Sequence, residues 1–423
     1  MIRRFGLLGE NLSHSFSPII HAELGDYQYR LYEKKPDELE VFLRQGDFEG
    51  LNITIPYKKS VIPFCKDLCK NARTIGSVNT ITKLSDGSLY GSNTDYYGFA
   101  YILKKTGINP AAGKTIILGS GGSSLAVQAV LHDMGAKEIA VVSRSGQEHK
   151  NVHVSYKDIN KHDDAILLVN TTPVGMFPET GISPLPDLGI FRQCRAVIDL
   201  IYNPARTELL LQAEEQGILA FNGLAMLVAQ AKNAAEIFTG TFIHDDIIES
   251  ILNKIKQQTR NIVLIGMPGC GKSSIGKALA DKMGRTFADT DEWIIKTAAK
   301  PIPAIITEDG EESFRKLEKH ALTALCKQSS LVIATGGGVI TQPGNRRIIR
   351  QNGIMVFLDR DIDQLSVSGR PLSQRNGVEA LARERLPLYS EWSDYMVRVC
   401  GKNRTEQIEQ TVLNIYKQFG ESI

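Results

Sequence analysis

The chain has 423 residues, 42% of them hydrophobic and 23% charged, with a formal net charge of +2. That length exceeds what one hydrophobic core sustains, so two or three domains are expected. The near balance of acids and bases excludes a broad nucleic-acid-binding face, and no apolar run is long enough to cross a bilayer.

The opening stretch Met1-Ile-Arg-Arg-Phe-Gly-Leu-Leu-Gly9 breaks at Gly6 and Gly9. It reads as a first strand rather than a signal peptide, so a cytoplasmic protein is expected. Residues 1–98 alternate short apolar strands with helices: Phe5–Gly9, Gln28–Glu33 and Gly50–Ile55 read as strands, and Pro18–Leu24 and Pro36–Gln45 as helices. Cys65 and Cys69, four residues apart, would share one helical face; with no further Cys or His cluster, all six cysteines read as reduced thiols. From Thr115 a regular βαβ series begins. Strands Thr115–Leu118, Glu138–Val142, Ala165–Asn170 and Ala196–Ile201 alternate with helices such as Ser123–Met134 and Thr207–Gln216. This pattern predicts a parallel sheet with helices on both faces. Two further helices, Leu224–Phe238 and Asp245–Lys256, precede a boundary near residue 258, and strand Asn261–Ile265 opens a second α/β unit.

Chemistry is concentrated at two glycine-rich loops. Gly119-Ser120-Gly121-Gly122 lies between a strand and a helix, where glycines permit a tight turn and bring a pyrophosphate to the helix N-terminus. The next strand ends at Ser143-Arg144. An acid there would suit the ribose hydroxyls of NAD, whereas Arg144 suits a 2′-phosphate and favours NADP(H); the alternative is an arginine on an exposed turn. Upstream, Lys58 and Asp95 are candidate acid/base groups, although either alone reads as a surface charge. The second loop, Gly266-Met-Pro-Gly269-Cys270-Gly271-Lys272-Ser273-Ser274, is a P-loop between strand Asn261–Ile265 and helix Lys272–Met283. Its amides would cradle the phosphates of ATP or GTP, Lys272 would reach the β- and γ-phosphates, and Ser273 would serve Mg²⁺. Strand Leu331–Ala334 ends in Thr-Gly-Gly-Gly without an acid. The metal carboxylate is therefore sought in Asp289-Thr-Asp291, whose alternate positions share a face and could serve metal and acceptor. A solvated turn with Asp291 capping a helix is the other reading.

The segments Ser13-His14-Ser15-Phe-Ser17-Pro18, Asn52–Lys58, Ser77–Thr80, Gly91–Asp95, Gly119–Ser124, Asn170–Met176 and Asn222–Ala231 run in order through residues 5–256 and resemble shikimate dehydrogenase. The resemblance implies a two-lobed α/β unit with a Rossmann lobe at 99–223 and a substrate lobe at 1–98 plus 224–258. It implies that Lys58 and Asp95 form the catalytic pair and that Ser15, Ser17, Thr54, Asn79, Tyr202 and Gln230 bind substrate. Gly223 would lie beside the nicotinamide. His14, which precedes the serines, reads as a structural or supporting residue rather than the proton donor. Residues 261–423 resemble shikimate kinase through the P-loop, Asp289-Thr-Asp291, Glu312–Glu318, Gly336-Gly337-Gly338, Arg370-Pro371-Leu372 and Arg383–Tyr389. That resemblance implies a parallel α/β P-loop domain in which Asp291, Arg315, Gly337, Gly338 and Arg385 hold shikimate. Asp289 would join the Mg²⁺ shell, and Arg370 would close as a lid. The stretch between Leu358 and Arg370 is shorter than usual for that family, with apolar Val367 where an arginine often stands. Together the two halves imply NADPH-dependent reduction of 3-dehydroshikimate followed by ATP-dependent phosphorylation of shikimate. The rivals are an NAD-dependent quinate/shikimate dehydrogenase joined to the kinase, and a metabolite sensor built from inactive modules. Intact Lys58, Asp95 and Lys272 argue against the sensor. Oligomeric state has no signature in the sequence.

Overall fold

A computed structural model describes residues 3–12, 15–144, 152–365 and 377–420. The chain forms two compact units. One comprises Met1–Gly175, Ile182–Tyr202 and Gln212–Asn253, and the other comprises Met176–Gly181, Asn203–Leu211 and Lys254–Ile423.

The first unit contains two sheets. In the first sheet β1 (Arg4–Gly9) lies between β2 (Gln28–Glu33) and β3 (Gly50–Ile53), parallel to both. With β4 (Cys65–Leu68), β5 (Thr80–Lys83) and β6 (Leu89–Ser92) the order is β2-β1-β3-β5-β6-β4. β5 runs antiparallel to both β3 and β6, so this sheet is mixed. A tight turn closes the β5–β6 hairpin through Gly87 at φ 81°, a conformation that favours glycine. Three sequence expectations change here. Strand Gly50–Ile55 stops at Ile53, and Pro36–Gln45 divides into a 3₁₀ turn, Pro36–Glu38, followed by helix α2 (Leu39–Gln45), which comes after α1 (Ser17–Ala22). Cys65 and Cys69 share no helical face. Cys65 lies in β4, while Cys69 caps α3 (Lys70–Ile75), its Sγ accepting the Ala72 N–H at 3.3 Å.

The second sheet, entirely parallel, has the order β12-β11-β10-β7-β8-β9. Its strands are β7 (Lys114–Leu118), β8 (Glu138–Ser143), β9 (Val152–Ser155), β10 (Ala165–Asn170), β11 (Ala196–Asp199) and β12 (Leu219–Asn222). Ile117, Val141, Val169 and Ile198 pack under α4 (Asp95–Thr106), α5 (Gly122–Asp133) and α7 (Leu224–Thr239). Ile116, Val142, Leu168 and Val197, on the alternate positions, are equally buried, as expected for central strands covered on both faces. α6 (Glu208–Glu215) precedes β12, and α8 (Asp246–Thr259) runs through the boundary expected near residue 258. Lys232 of α7 is 2% exposed and pairs with Glu236 and Asp245 at 2.9 Å each, close to the rings of Tyr97 and Phe242. This buried cation ties α4, α7 and the approach to α8 together.

The second unit is a parallel sheet, β14-β15-β13-β16-β17. Its strands are β13 (Asn261–Ile265), β14 (Thr286–Asp289), β15 (Leu331–Ala334), β16 (Gly353–Asp359) and β17 (Tyr395–Arg398). β13 is buried along its whole length in a core of Ile262–Ile265, Val332, Val356 and Leu279. The chain first builds to one side of β13 and then to the other, which opens a crevice at the C-terminal strand ends.

His21 of α1 is buried between the aromatic rings of the first unit, stacked on Tyr29 at 3.8 Å and 10°. Its Nδ1 lies 2.8 Å from the Tyr27 hydroxyl. Burial holds the imidazole neutral, lowering its pKa from 6.5 to about 3. A depressed folded-state value means the stabilisation is complete above pH 6.5 and is lost as pH falls toward 3. Lowering the pH from 7 to 5 should therefore remove about 2 kcal/mol from the protection of the β1–β2 amides in the intact chain. Hydrogen exchange, corrected for intrinsic rates, should show this dependence, and His21→Gln should flatten it.

Candidate active sites

In the first unit a small polar cluster forms around Asp95, the first residue of α4 and 4% exposed. Lys58, just beyond β3, donates from Nζ to Asp95 Oδ2 at 2.6 Å. Buried Asn79, which precedes β5, donates from Nδ2 to Asp95 Oδ1 at 2.9 Å and to Gln230 Oε1 on α7 at 3.2 Å. The helices carrying Asp95 and Gln230 approach closely because Gly98 stands opposite Met226 and Gln230; a Cβ at Gly98 would lie 2.6 Å from the Met226 carbonyl. Four residues expected to act together are thus brought together. Ser15 and Ser17 meet at the start of α1, where Ser15 Oγ accepts the Ser17 N–H at 3.2 Å. Tyr202 reaches that segment through Phe16, with ring centroids 5.4 Å apart, and burial raises its phenol above the ordinary range. Thr54 is anchored beyond the end of β3 by its N–H to the Leu8 carbonyl at 2.9 Å. His14 lies outside the described residues.

The second sheet of this unit ends in a glycine-lined cradle. Gly119, at φ 101°, turns the chain out of β7 so closely that a Cβ would stand 2.7 Å from Thr171 Oγ1. Ser120 follows it, and Gly121 caps α5. At Gly121 and Gly122 a Cβ would meet nothing within 4 Å, so the chain at the start of α5 borders open space. Such a helix start, with its free N–H groups, suits a phosphate. Ser143 and Arg144 follow on the adjacent strand end, Ser143 buried and Arg144 exposed. Gly223, between β12 and α7, sits against Leu200, whose carbonyl oxygen would be 1.9 Å from any Cβ. Beneath these loops Asn170 donates to Asp199 Oδ1 at 2.9 Å and accepts the Thr172 N–H and hydroxyl, which stiffens the ends of β10 and β11.

In the second unit the P-loop has left-handed or related backbone at Gly266, Gly269 and Gly271, with φ of 148°, 85° and 105°. Cys270 is fully buried under the loop. Lys272 of α9 (Lys272–Met283) turns back to donate to the carbonyls of Gly266 at 2.7 Å and Met267 at 3.0 Å. Ser273 donates to Asp289 Oδ2 at 2.6 Å, while Asp289 Oδ1 caps α10 (Thr290–Ala298) by accepting the Asp291 N–H at 2.9 Å. The cap of that helix is therefore Asp289, which leaves the Asp291 side chain on the cleft. A cleft of about 710 Å³ brings the P-loop, Asp291, Arg315, Gly337, Gly338 and Arg385 together. Gly338 is a glycine of necessity, because a Cβ there would lie 2.3 Å from the Arg315 guanidinium. Arg385 donates to the Gly337 carbonyl at 3.2 Å, and the Tyr389 hydroxyl donates to the same oxygen. Arg370 and the stretch around Val367 lie outside the described residues.

The structure adds roles that the motifs did not assign. Glu318, 1% exposed, holds Arg315 at 3.0 Å, and Glu311 holds the other guanidinium nitrogen at 2.9 Å. Burial raises the Glu318 carboxyl above the ordinary range against the opposing pull of Arg315. On the nucleotide side, Arg404 donates to Ser274 Oγ at 3.0 Å, and Arg360 donates to Gln407 at 3.1 Å. Arg404 and Gln407 sit one helical turn apart, a spacing visible in the sequence but without meaning until that helix is placed beside the P-loop. Among the described residues no group of three or more His, Cys, Asp or Glu side chains could hold a metal unaided. Ser273 and Asp289 fit Mg²⁺, which takes few protein ligands and completes its shell with phosphate oxygens and water.

Comparison with known proteins finds matches for both regions of the chain. A family model for the shikimate dehydrogenase substrate-binding domain matches residues 7–81, and one for shikimate kinase matches residues 268–417. A shikimate dehydrogenase (NADP(+)) from Clostridium perfringens is 34% identical over 270 residues, covering 60% of this chain and 99% of the relative. A chorismate mutase/shikimate 5-dehydrogenase fusion protein from Clostridium acetobutylicum superposes with a TM-score of 0.57 at 34% identity, over 61% of this chain and 98% of the other. Shikimate 5-dehydrogenase from Thermus thermophilus, solved with NADP(H) and shikimate, gives 0.55 at 32% identity, over 60% and 99%. The chain belongs to the shikimate dehydrogenase family, and a shikimate kinase domain follows the dehydrogenase region.

Proposed function

We propose that the chain catalyses two consecutive reactions: reduction of 3-dehydroshikimate to shikimate by NADPH, and transfer of the γ-phosphoryl group of ATP to the hydroxyl so formed. Both belong to the route toward chorismate and the aromatic amino acids. The dehydrogenase would occupy residues 1–258 and the kinase 259–423. The observation that carries the reading is the Lys58–Asp95 contact at 2.6 Å beside Asn79 and Gln230, a proton donor held among neutral hydrogen-bonding groups. When bound, the dinucleotide supplies a hydride to the carbonyl carbon. Lys58 would protonate the developing alkoxide, and Asp95 would orient the ammonium toward it. Ser15, Ser17, Thr54, Asn79, Tyr202 and Gln230 would hold the ring hydroxyls and carboxylate, each discriminating against an analogue that lacks its partner. The open start of α5 at Gly121 and Gly122 fits the pyrophosphate, and exposed Arg144 fits a 2′-phosphate.

In the kinase cleft, which Arg315, Arg385 and Asp291 line, the two planar guanidinium groups would take the substrate carboxylate, and Asp291 would face the acceptor hydroxyl. Lys272, resting on loop carbonyls in this structure, would exchange them for phosphate oxygens. The P-loop amides and Arg370 would add to the positive field around the transferring group.

Lys58→Ala should abolish NADPH oxidation by 3-dehydroshikimate and leave shikimate-dependent ADP formation intact; Lys272→Ala should do the reverse. Loss of both activities from either folded variant would refute two independent sites. Arg144→Ala should lower kcat/KM for NADPH by about 10- to 100-fold while changing NADH use little, because one charge-assisted phosphate contact is lost. A matched fall with both nucleotides would remove Arg144 from 2′-phosphate recognition. Gly121→Ala meets open space and should leave the melting temperature unchanged. It should nevertheless weaken NADPH binding, read by nucleotide fluorescence, because the methyl group fills the cradle.

A further inference from the structure

Asp95 is bonded on one side to Lys58, and its other oxygen receives a donor that belongs to a longer series. The Asn79 amide has one orientation, fixed twice: Nδ2 donates to the acceptor-only carboxylate of Asp95 at 2.9 Å, and Oδ1 receives the backbone N–H of Thr94 at 2.7 Å. Oδ1 also receives the Thr80 hydroxyl at 3.2 Å. Thr80 is fully buried, and its oxygen accepts from Asn52 Nδ2 at 3.1 Å, leaving its own hydrogen for Asn79. The Thr94 hydroxyl, 3.3 Å from Thr80, rests on the same Asn79 amide, so both branches end there. Asn52 Oδ1 in turn accepts the Tyr29 hydroxyl at 2.7 Å. Register explains the alignment: Asn52 of β3 and Thr80 of β5 are cross-strand partners and share a face of the sheet.

We propose that Tyr29→Asn52→Thr80→Asn79→Asp95 is a one-way series of hydrogen-bond donors that orients the Asp95 carboxylate toward Lys58, making Tyr29 and Thr80 positioning residues of the dehydrogenase site. Every bond points the same way, so each donor is polarised by the one behind it and the effect accumulates at Asp95. Tyr29 is well placed to begin the series. Its ring is stacked on His21, the Ser17 side chain bonds its hydroxyl, and burial keeps the phenol protonated. Strand positions of this kind are readily filled by Val or Ile. A polar side chain at each step, with both ends of both amides satisfied, is an arrangement that orients as well as packs.

This inference rests on the dehydrogenase reading, and one of its tests does not depend on activity. In the full-length, ¹⁵N-labelled protein, the Asn79 side-chain amide resonance is identified by its loss in Asn79→Ser. Tyr29→Phe and Thr80→Val should each move that resonance upfield, although neither alters a group bonded to the Asn79 nitrogen. Thr80→Ser, which keeps the hydroxyl, should restore it. With 3-dehydroshikimate, Tyr29→Phe and Thr80→Val should lower kcat roughly threefold to tenfold and leave KM for NADPH unchanged. An unmoved resonance, or Thr80→Ser behaving like Thr80→Val, overturns the proposal. If the resonance moves as expected but the wild-type protein does not reduce 3-dehydroshikimate, the donor series stands and the dehydrogenase reading falls.

Discussion

Both catalytic regions depend on a helix that begins with unpaired amides directly after a central parallel strand. A helix leaves its first N–H groups without internal partners, and a phosphate supplies what they lack. That requires a turn so tight that side chains are excluded. Gly119 at φ 101° faces Thr171 and Thr172, and Gly266 at φ 148° lies against the Leu358 carbonyl. The sheets add the second requirement, a strand with neighbours on both sides whose connections diverge. β7 and β13 each occupy that position, so the loops from adjacent strands converge on one rim.

Around these rims the charges are held in two different ways. Lys58 and Asp95 form one close pair supported by neutral amides and hydroxyls. Arg315 and Arg385 instead form a guanidinium-rich wall fixed before any ligand arrives, Arg315 by the carboxylates of Glu318 and Glu311 and Arg385 by the Gly337 carbonyl. Burying Glu318 carries a desolvation penalty that Arg315 offsets. The gain is orientation: Arg315 is braced on two sides, and Gly338 leaves room for its guanidinium group. Recognition of a carboxylate by a preset fork costs less side-chain entropy than recognition by a mobile lysine.

What could be read in the sequence followed from how local each signal is. The P-loop and the Gly119–Gly122 turn were legible because strand, glycines and helix are contiguous. Lys58, Asp95, Asn79 and Gln230 were legible only as members of a family constellation, since 172 residues separate the first from the last. The mixed order of the first sheet escaped periodicity, because β4, β5 and β6 have four residues each and too little alternation to identify. Cys65 and Cys69 show the reverse error, where a helical spacing spans a strand end and a helix cap. Arg360, Arg404 and Gln407 had no local signature, and Glu318 closed the Glu312–Glu318 motif without a role of its own. Ordinary charged and amide residues on helix ends and strand ends acquire a role only when the sheet brings them to the cleft.

The two sets of residues differ because the two reactions move charge differently. Hydride delivery with proton transfer turns a neutral carbonyl into a neutral alcohol, so a permanent array of cations would favour the alkoxide over the alcohol and hinder release of the product. On the proposed reading, one ammonium, oriented by Asp95 and flanked by neutral amides, would supply the proton without that bias. Phosphoryl transfer shifts negative charge along the line from nucleotide to acceptor, and preorganised cations are most effective there. On that reading the same cyclic acid would meet hydroxyl and amide partners in the first unit and guanidinium groups in the second. The two lysines would then not be interchangeable: Lys58 would surrender a proton, whereas Lys272 would keep its charge. The contrast between a carboxylate partner for Lys58 and backbone carbonyl partners for Lys272 is the structural counterpart of that division.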